Sequence, residues 1–185
     1  MKRGLLVIDV QNEYFTGKLP VSYPPGSFAN ILRAMDAARS HRVSVVVIQH
    51  SAMSEASPVF RKGSHEWRLH SDIGIRQRDV LIEKKWPDSF MGTELEEWLE
   101  GAGIDTLAIC GYMTQMCCDT TARRAFHLGY AVEFLSDATG TLALSNEAGT
   151  VTDAELHRAI LTTQGSRFSH VMETGKWIER VSRGE

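Results

Sequence analysis

The sequence predicts a three-layer α/β/α domain built on a mostly parallel sheet of six strands, and three observations predict it. Six β-rich runs are apolar nearly throughout rather than alternating, so each is buried on both faces. Stretches with apolar residues at helical spacing separate most of these runs, as crossover helices on a parallel sheet require. Two long aperiodic segments, Gln11–Ser27 and Ser51–Arg78, each follow a predicted strand. Such loops lie at the carboxyl ends of strands, where open α/β sheets bind ligands, and loops of that size in a compact domain are usually functional.

The first strand, Leu5–Val10, carries Asp9 at the end of its apolar run Leu5-Leu6-Val7-Ile8. Phe28, Ile31, Leu32 and Met35 mark the first helix, and Val43–Ile48 is the second strand. The third strand, Val80–Glu83, is followed at once by Lys84. Leu95, Trp98 and Leu99 mark a helix opened by Thr93-Glu94-Leu95-Glu96, which fits a capping box. Thr106–Cys110 is the fourth strand, and Ala122, Ala125, Phe126 and Leu128 mark a helix stopped by Gly129. Ala131–Leu135 is the fifth. Leu156, Ile160 and Leu161 mark a helix with a second capping box, Thr152-Asp153-Ala154-Glu155. Ser169–Met172 is the sixth strand, and a short helix near Trp177 and Ile178 closes the chain. With no internal repeat, low-complexity tract or linker, residues 1–185 are expected to form one domain.

Bulk properties narrow the function. A hydrophobic content of 43% is ordinary for a globular protein and argues against disorder. A net charge of −3, with Lys and Arg scattered, leaves no electrostatic footprint for nucleic acid or an anionic membrane. The apolar run after Met1-Lys2-Arg3 is broken by Asp9, too early for a signal core, and no run is long enough to span a membrane. Three cysteines at 110, 117 and 118 are odd in number, two of them adjacent, and so form no disulfide framework. The expected location is a reducing cytoplasm.

The chemistry is concentrated in three places. In Cys110-Gly111-Tyr112-Met113-Thr114-Gln115-Met116-Cys117, the last residue falls in the first turn of a helix after a buried strand. Helix N-termini favour anions, which points to a thiol held more easily as the nucleophilic thiolate. If the strands are parallel neighbours, Asp9, Lys84 and Cys117 bring an acid, an amine and a thiol to one end of one sheet. Other α/β chemistries lack their motifs: there is no P-loop, no G-x-G-x-x-G and no G-x-S-x-G. His50, His65 and His70 lie on or near the second long loop, but their spacing fits no metal motif, so no metal or other cofactor is expected.

Three segments, in order, resemble the isochorismatase-like cysteine hydrolases, a group of amide and C–N hydrolases. They are Leu6-Val7-Ile8-Asp9-Val10-Gln11, the stretch from Glu83 to Leu95, and the G-x-x-T-x-x-C pattern ending at Cys117. The resemblance selects Lys84 over Lys85 and Cys117 over Cys118. It implies a Cys117 nucleophile, an Asp9 general base and acid, and a Lys84 charge that favours the thiolate. It also implies an oxyanion hole from the Met113 and Cys117 backbone N–H groups, a cis Tyr112–Met113 peptide, and assembly into dimers or larger homo-oligomers. The metal-binding members carry Asp-x-His after their second strand, and Val47-Ile48-Gln49-His50-Ser51 departs from that pattern. Phe15, Trp86 and Tyr112 flank the motifs and are candidate walls for a small-molecule substrate. Two other readings remain: a vinyl-ether hydrolase working through Asp9 alone, and a non-catalytic, redox-responsive protein centred on Cys117-Cys118.

Overall fold

Burial sorts the strands. In the computed structural model, which describes residues 1–185, β1 (Arg3–Ile8) is buried at every residue. Its parallel neighbour β4 (Thr106–Tyr112) is likewise buried throughout. Outward on one side follow β2 (Ser44–His50) and β3 (Val80–Lys84); on the other come β5 (Ala131–Gly140) and β8 (His170–Met172). The order β3-β2-β1-β4-β5-β8 is parallel at every pairing. The expected α/β/α architecture is therefore present, and each predicted strand has its counterpart.

Successive residues of a strand face opposite sides, and β1 shows the consequence. Leu5 and Val7 join the core under α1 (Ser27–Ser40) and α6 (Thr174–Ser182), together with Ile31, Met35 and Trp177. Leu6 and Ile8 join the core under α3 (Leu95–Gly101) and α4 (Asp119–His127), with Leu99, Ile109 and Ala122. Each fully buried aliphatic side chain contributes about 1.5–3 kcal/mol, so both layers are needed to hold the sheet. A short α2 (Ser71–Gly74) interrupts the second long loop, and a 3-10 turn (Asn12–Tyr14) the first. No helix is long and apolar enough to cross a membrane.

Three local expectations are corrected. Thr93 forms no full capping box with Glu96: its hydroxyl donates to the carbonyls of Ser89 and Phe90 and accepts only the Leu95 N–H, at 3.3 Å, and the helix begins at Leu95, after Glu94. The second capping box does form, with Thr152 accepting from the Glu155 N–H at the start of α5 (Asp153–Thr163). β5 runs five residues past Leu135, because after a bulge its end pairs with Gly111 and Tyr112. Beyond it, β6 (Leu144–Asn146) and β7 (Gly149–Val151) form an unpredicted antiparallel hairpin.

The topology places the site. The chain moves from β1 out through β2 to β3, then returns to lay β4 on the other side of β1. The strand order thus reverses between β1 and β4, and a crevice opens there at the carboxyl ends.

Candidate active site

Asp9 follows β1 directly. Its φ of 53° lies in the left-handed region, where Asp is among the better tolerated non-glycine residues. Its N–H is held by the Ile48 carbonyl at 3.0 Å, which aims the side chain into the crevice between β1 and β4. Gly111 makes the crevice possible. At φ 116° a Cβ there would lie 2.0 Å from the Ile8 carbonyl oxygen, so only glycine lets β4 approach β1 this closely.

The chain then passes through a cis peptide between Tyr112 and Met113, as the resemblance implies. Met113 caps a π-helical turn, Thr114–Cys118, in which the Cys118 N–H reaches back to the Met113 carbonyl. Cys117 therefore sits in a wide turn ahead of α4, which starts at Asp119, rather than in the first turn of that helix. Such π-turns are frequent at functional sites. The turn is anchored from α5: Thr114 Oγ1 donates to His157 Nδ1 at 2.9 Å, and His157 Nε2 donates to the Ser136 carbonyl at 2.9 Å.

Lys84, the last residue of β3, joins the two. Its Nζ lies 2.7 Å from Asp9 Oδ2 and 3.2 Å from Cys117 Sγ, and it also donates to the Trp86 carbonyl at 3.0 Å. Lys84 and Asp9 are fully enclosed, whereas Lys85 points outward into solvent, as alternation along a strand requires. Cys117 keeps a 7% opening to the surface; Cys110 and Cys118 have none.

The electrostatics correct one sequence argument. Burial pushes the Cys117 thiol well above its ordinary value, the charge of Asp9 pushes it further, and Lys84 pulls it back only in part. The resting sulfur is a protonated thiol rather than a preformed thiolate, because desolvation outweighs one nearby cation. Burial also disfavours the Lys84 ammonium, but the Asp9 charge at 2.7 Å opposes it, and the Lys84 pKa stands above the ordinary value. No neutral N–H or O–H donor reaches the Asp9 carboxylate, so Lys84 is its sole cationic partner.

The flanking aromatic residues differ in availability. Phe15 is half-buried and packs on Phe28, His70 and Tyr112. Trp86 is exposed and contributes its carbonyl to Lys84. Tyr112 is buried, with its hydroxyl on Ser27, so it backs Phe15 instead of presenting a face of its own. Residues around His50 form a part of the site that sequence reasoning missed. Gln11 ties its side chain to both the N–H and the carbonyl of His50 and to the Trp67 carbonyl, joining the two long loops across the crevice. The only signal in the sequence was the placement of Gln11 and His50 at two strand ends.

The three histidines are dispersed: His50 near Lys84, His65 exposed, and His70 accepting from the Asp72 N–H at the start of α2. No three His, Cys, Asp or Glu side chains gather as they would around a metal ion. A cavity of about 580 Å³ lies between the two long loops, lined by Glu13, Thr16, Pro58, Phe60, Arg61 and Glu66. It does not include the Asp9–Lys84–Cys117 cluster and approaches it only through Phe60, which packs on His50.

Fold and site together define a class, the α/β proteins with an acid, an amine and a thiol buried at the carboxyl edge of a parallel sheet. Residues 3–174 match the isochorismatase domain, and the chain belongs to the isochorismatase family of hydrolases. It is 30% identical to nicotinamidase 3 of Arabidopsis thaliana, covering 94% of this chain and 85% of that one. It is 27% identical to the ureidoacrylate amidohydrolase RutB of Agrobacterium fabrum (strain C58), over 74% and 75% of the two chains. A crystal structure of an isochorismatase-type protein from Burkholderia xenovorans LB400 superposes with a TM-score of 0.96 at 48% identity, covering 98% of this chain and 88% of that one.

Proposed function

We propose that the protein is a cysteine hydrolase that cleaves a C–N bond, amide, lactam or ureido, of a small molecule through a thioester on Cys117. One observation carries the reading: a single buried ammonium, Lys84, contacts both the Asp9 carboxylate and the Cys117 sulfur. The printed names of the two relatives, a nicotinamidase and a ureidoacrylate amidohydrolase, support the C–N class.

The protonated thiol assigns the first step to Asp9. As Sγ attacks the carbonyl carbon, Asp9 takes the thiol proton, and Lys84 offsets the charge building on sulfur. The Met113 and Cys117 N–H groups receive the oxyanion. When the tetrahedral intermediate collapses, the C–N bond breaks and Asp9 returns its proton to the departing nitrogen. Water then adds to the thioester, giving a proton to Asp9, and the C–S bond breaks to release the acid and restore the thiol. No step requires an oxidant or reductant.

A panel of amides, lactams and ureido compounds, assayed for release of amine, ammonia or acid, tests this with Cys117→Ala as control. The expected result is turnover of at least one compound by the parent and its loss in the variant. Cleavage of a vinyl ether that survives Cys117→Ala would instead establish chemistry through Asp9 alone.

A further inference from the structure

Lys84 has three N–H bonds and four neighbours. Besides Asp9, Trp86 and Cys117, its Nζ lies 3.5 Å from His50 Nδ1. The three shorter contacts take up its three N–H bonds, but the ammonium charge facing Nδ1 favours the ring's lone pair there over a second proton, which places the single proton of the neutral ring on Nε2. Burial lowers the His50 pKa, with Asp9 opposing the shift and Lys84 adding to it, and the ring stays neutral. The imidazole is held edge-on against Phe60, centroids 5.0 Å apart at 83°. Its backbone is fixed at both polar atoms by Gln11. Nε2 alone has no hydrogen-bond partner in the protein, and it is not sealed from solvent.

His157 shows how this chain treats a histidine used only for packing. Both of its ring nitrogens are hydrogen-bonded, and the residue is 3% exposed. His50 instead keeps an oriented, unpaired N–H across one ammonium from the nucleophilic sulfur. We propose that His50 Nε2–H is a substrate-binding donor that selects molecules carrying a second oxygen acceptor, carbonyl or carboxylate, besides the carbonyl that Cys117 attacks. This deepens the hydrolase reading and rests on it. The adjacent Lys84 charge works in the same direction, favouring an electron-rich or anionic oxygen and disfavouring a cationic amine there.

Two measurements test the assignment without relying on turnover. Long-range ¹H–¹⁵N correlation spectra of the whole protein should show His50 as the Nε2–H tautomer; finding the proton on Nδ1 overturns the proposal. Cys117→Ala protein is then titrated with succinamate and with butyramide, which differ by a carboxylate in place of a methyl group. Succinamate should shift the His50 Nε2–H signal and bind at least about tenfold more tightly, the scale of one hydrogen bond to a charged group. Adding His50→Phe should reduce that preference by about tenfold, leaving only what the Lys84 charge supplies, and adding His50→Gln, which restores a side-chain N–H, should return part of it. Equal binding of the two amides, or a preference that His50→Phe leaves undiminished, overturns the proposal. Absence of amide turnover by the unmodified protein would overturn the hydrolase reading instead, since the binding comparison does not depend on cleavage.

Discussion

Lys84 and Asp9 should move the reactivity of Cys117 in opposite directions. The Lys84 ammonium stands 3.2 Å from Sγ. A unit charge at that distance is worth about 5 kcal/mol at an effective dielectric of about 20. Losing it in Lys84→Met would push the thiol pKa further up and cut the thiolate population by up to about 10⁴-fold. The more basic thiolate is intrinsically more nucleophilic, which recovers roughly half of that, so alkylation near neutral pH should slow by about 10²-fold. Asp9→Asn removes a charge that pushes the thiol up, so labelling of Cys117 should quicken by about tenfold while turnover falls by about 10²-fold or more. The assay is pseudo-first-order alkylation by iodoacetamide from about pH 6 to about pH 10, read on the Cys117 peptide by mass spectrometry. In the parent protein the rate should still be climbing at the top of that range, because burial holds the thiol up. Slowing of labelling by both variants, or modification of Cys110 or Cys118 first, would refute the charge assignments.

Three further outcomes are expected. Lys84→Ala should cost activity about 10²-fold or more, whereas Lys85→Ala, at an exposed position, should stay within about twofold; equal losses in a steady-state assay would mean that the strand register is wrong. Gly111→Ala should lower the melting temperature by about 10 °C or more, since its Cβ would fall 2.0 Å from the Ile8 carbonyl oxygen. Gly129→Ala, at φ 94° but with nothing within 4 Å, is the control and should cost only about 1–2 kcal/mol in a denaturant melt. Arg3→Leu should cost about 3 kcal/mol, because it removes two 2.8 Å contacts to the buried Glu133 carboxylate and leaves it only the Trp177 N–H at 2.9 Å and Arg180 at 3.8 Å; replacing Glu133 by Leu as well should recover part of the loss in the same melt.

The parts of the site visible in the sequence were those that close a strand. Asp9, Lys84 and Cys117 follow three apolar runs, and parallel pairing forces three strand ends to one edge, so their convergence could be reasoned without coordinates. The state of the thiol was not legible in the same way. A helix start and a nearby lysine are local signals, but the burial that outweighs them comes from packing between β4, α4 and the loops. The Thr93 capping box formed only in part for a related reason: its hydroxyl accepts the Leu95 N–H but donates back to two carbonyls of the preceding turn, which the Thr-x-x-Glu pattern does not reveal. The β6–β7 hairpin was hidden because its strands are three residues each and mostly exposed, too short to show a period. His50 and Gln11 stood beside predicted strand ends, yet their bond to one another spans 39 residues and appears only when β1 and β2 pair.

The claim on which the mechanism rests is a covalent acyl group on Cys117. Acid quenching during turnover of the best amide from the panel, followed by peptide mapping, measures it directly. The Cys117 peptide should gain the mass of the acyl portion, hydroxylamine should remove the adduct, and Cys117→Ala should show neither adduct nor turnover. Hydrolysis at the parent rate by Cys117→Ala, with no adduct on any cysteine, would contradict it.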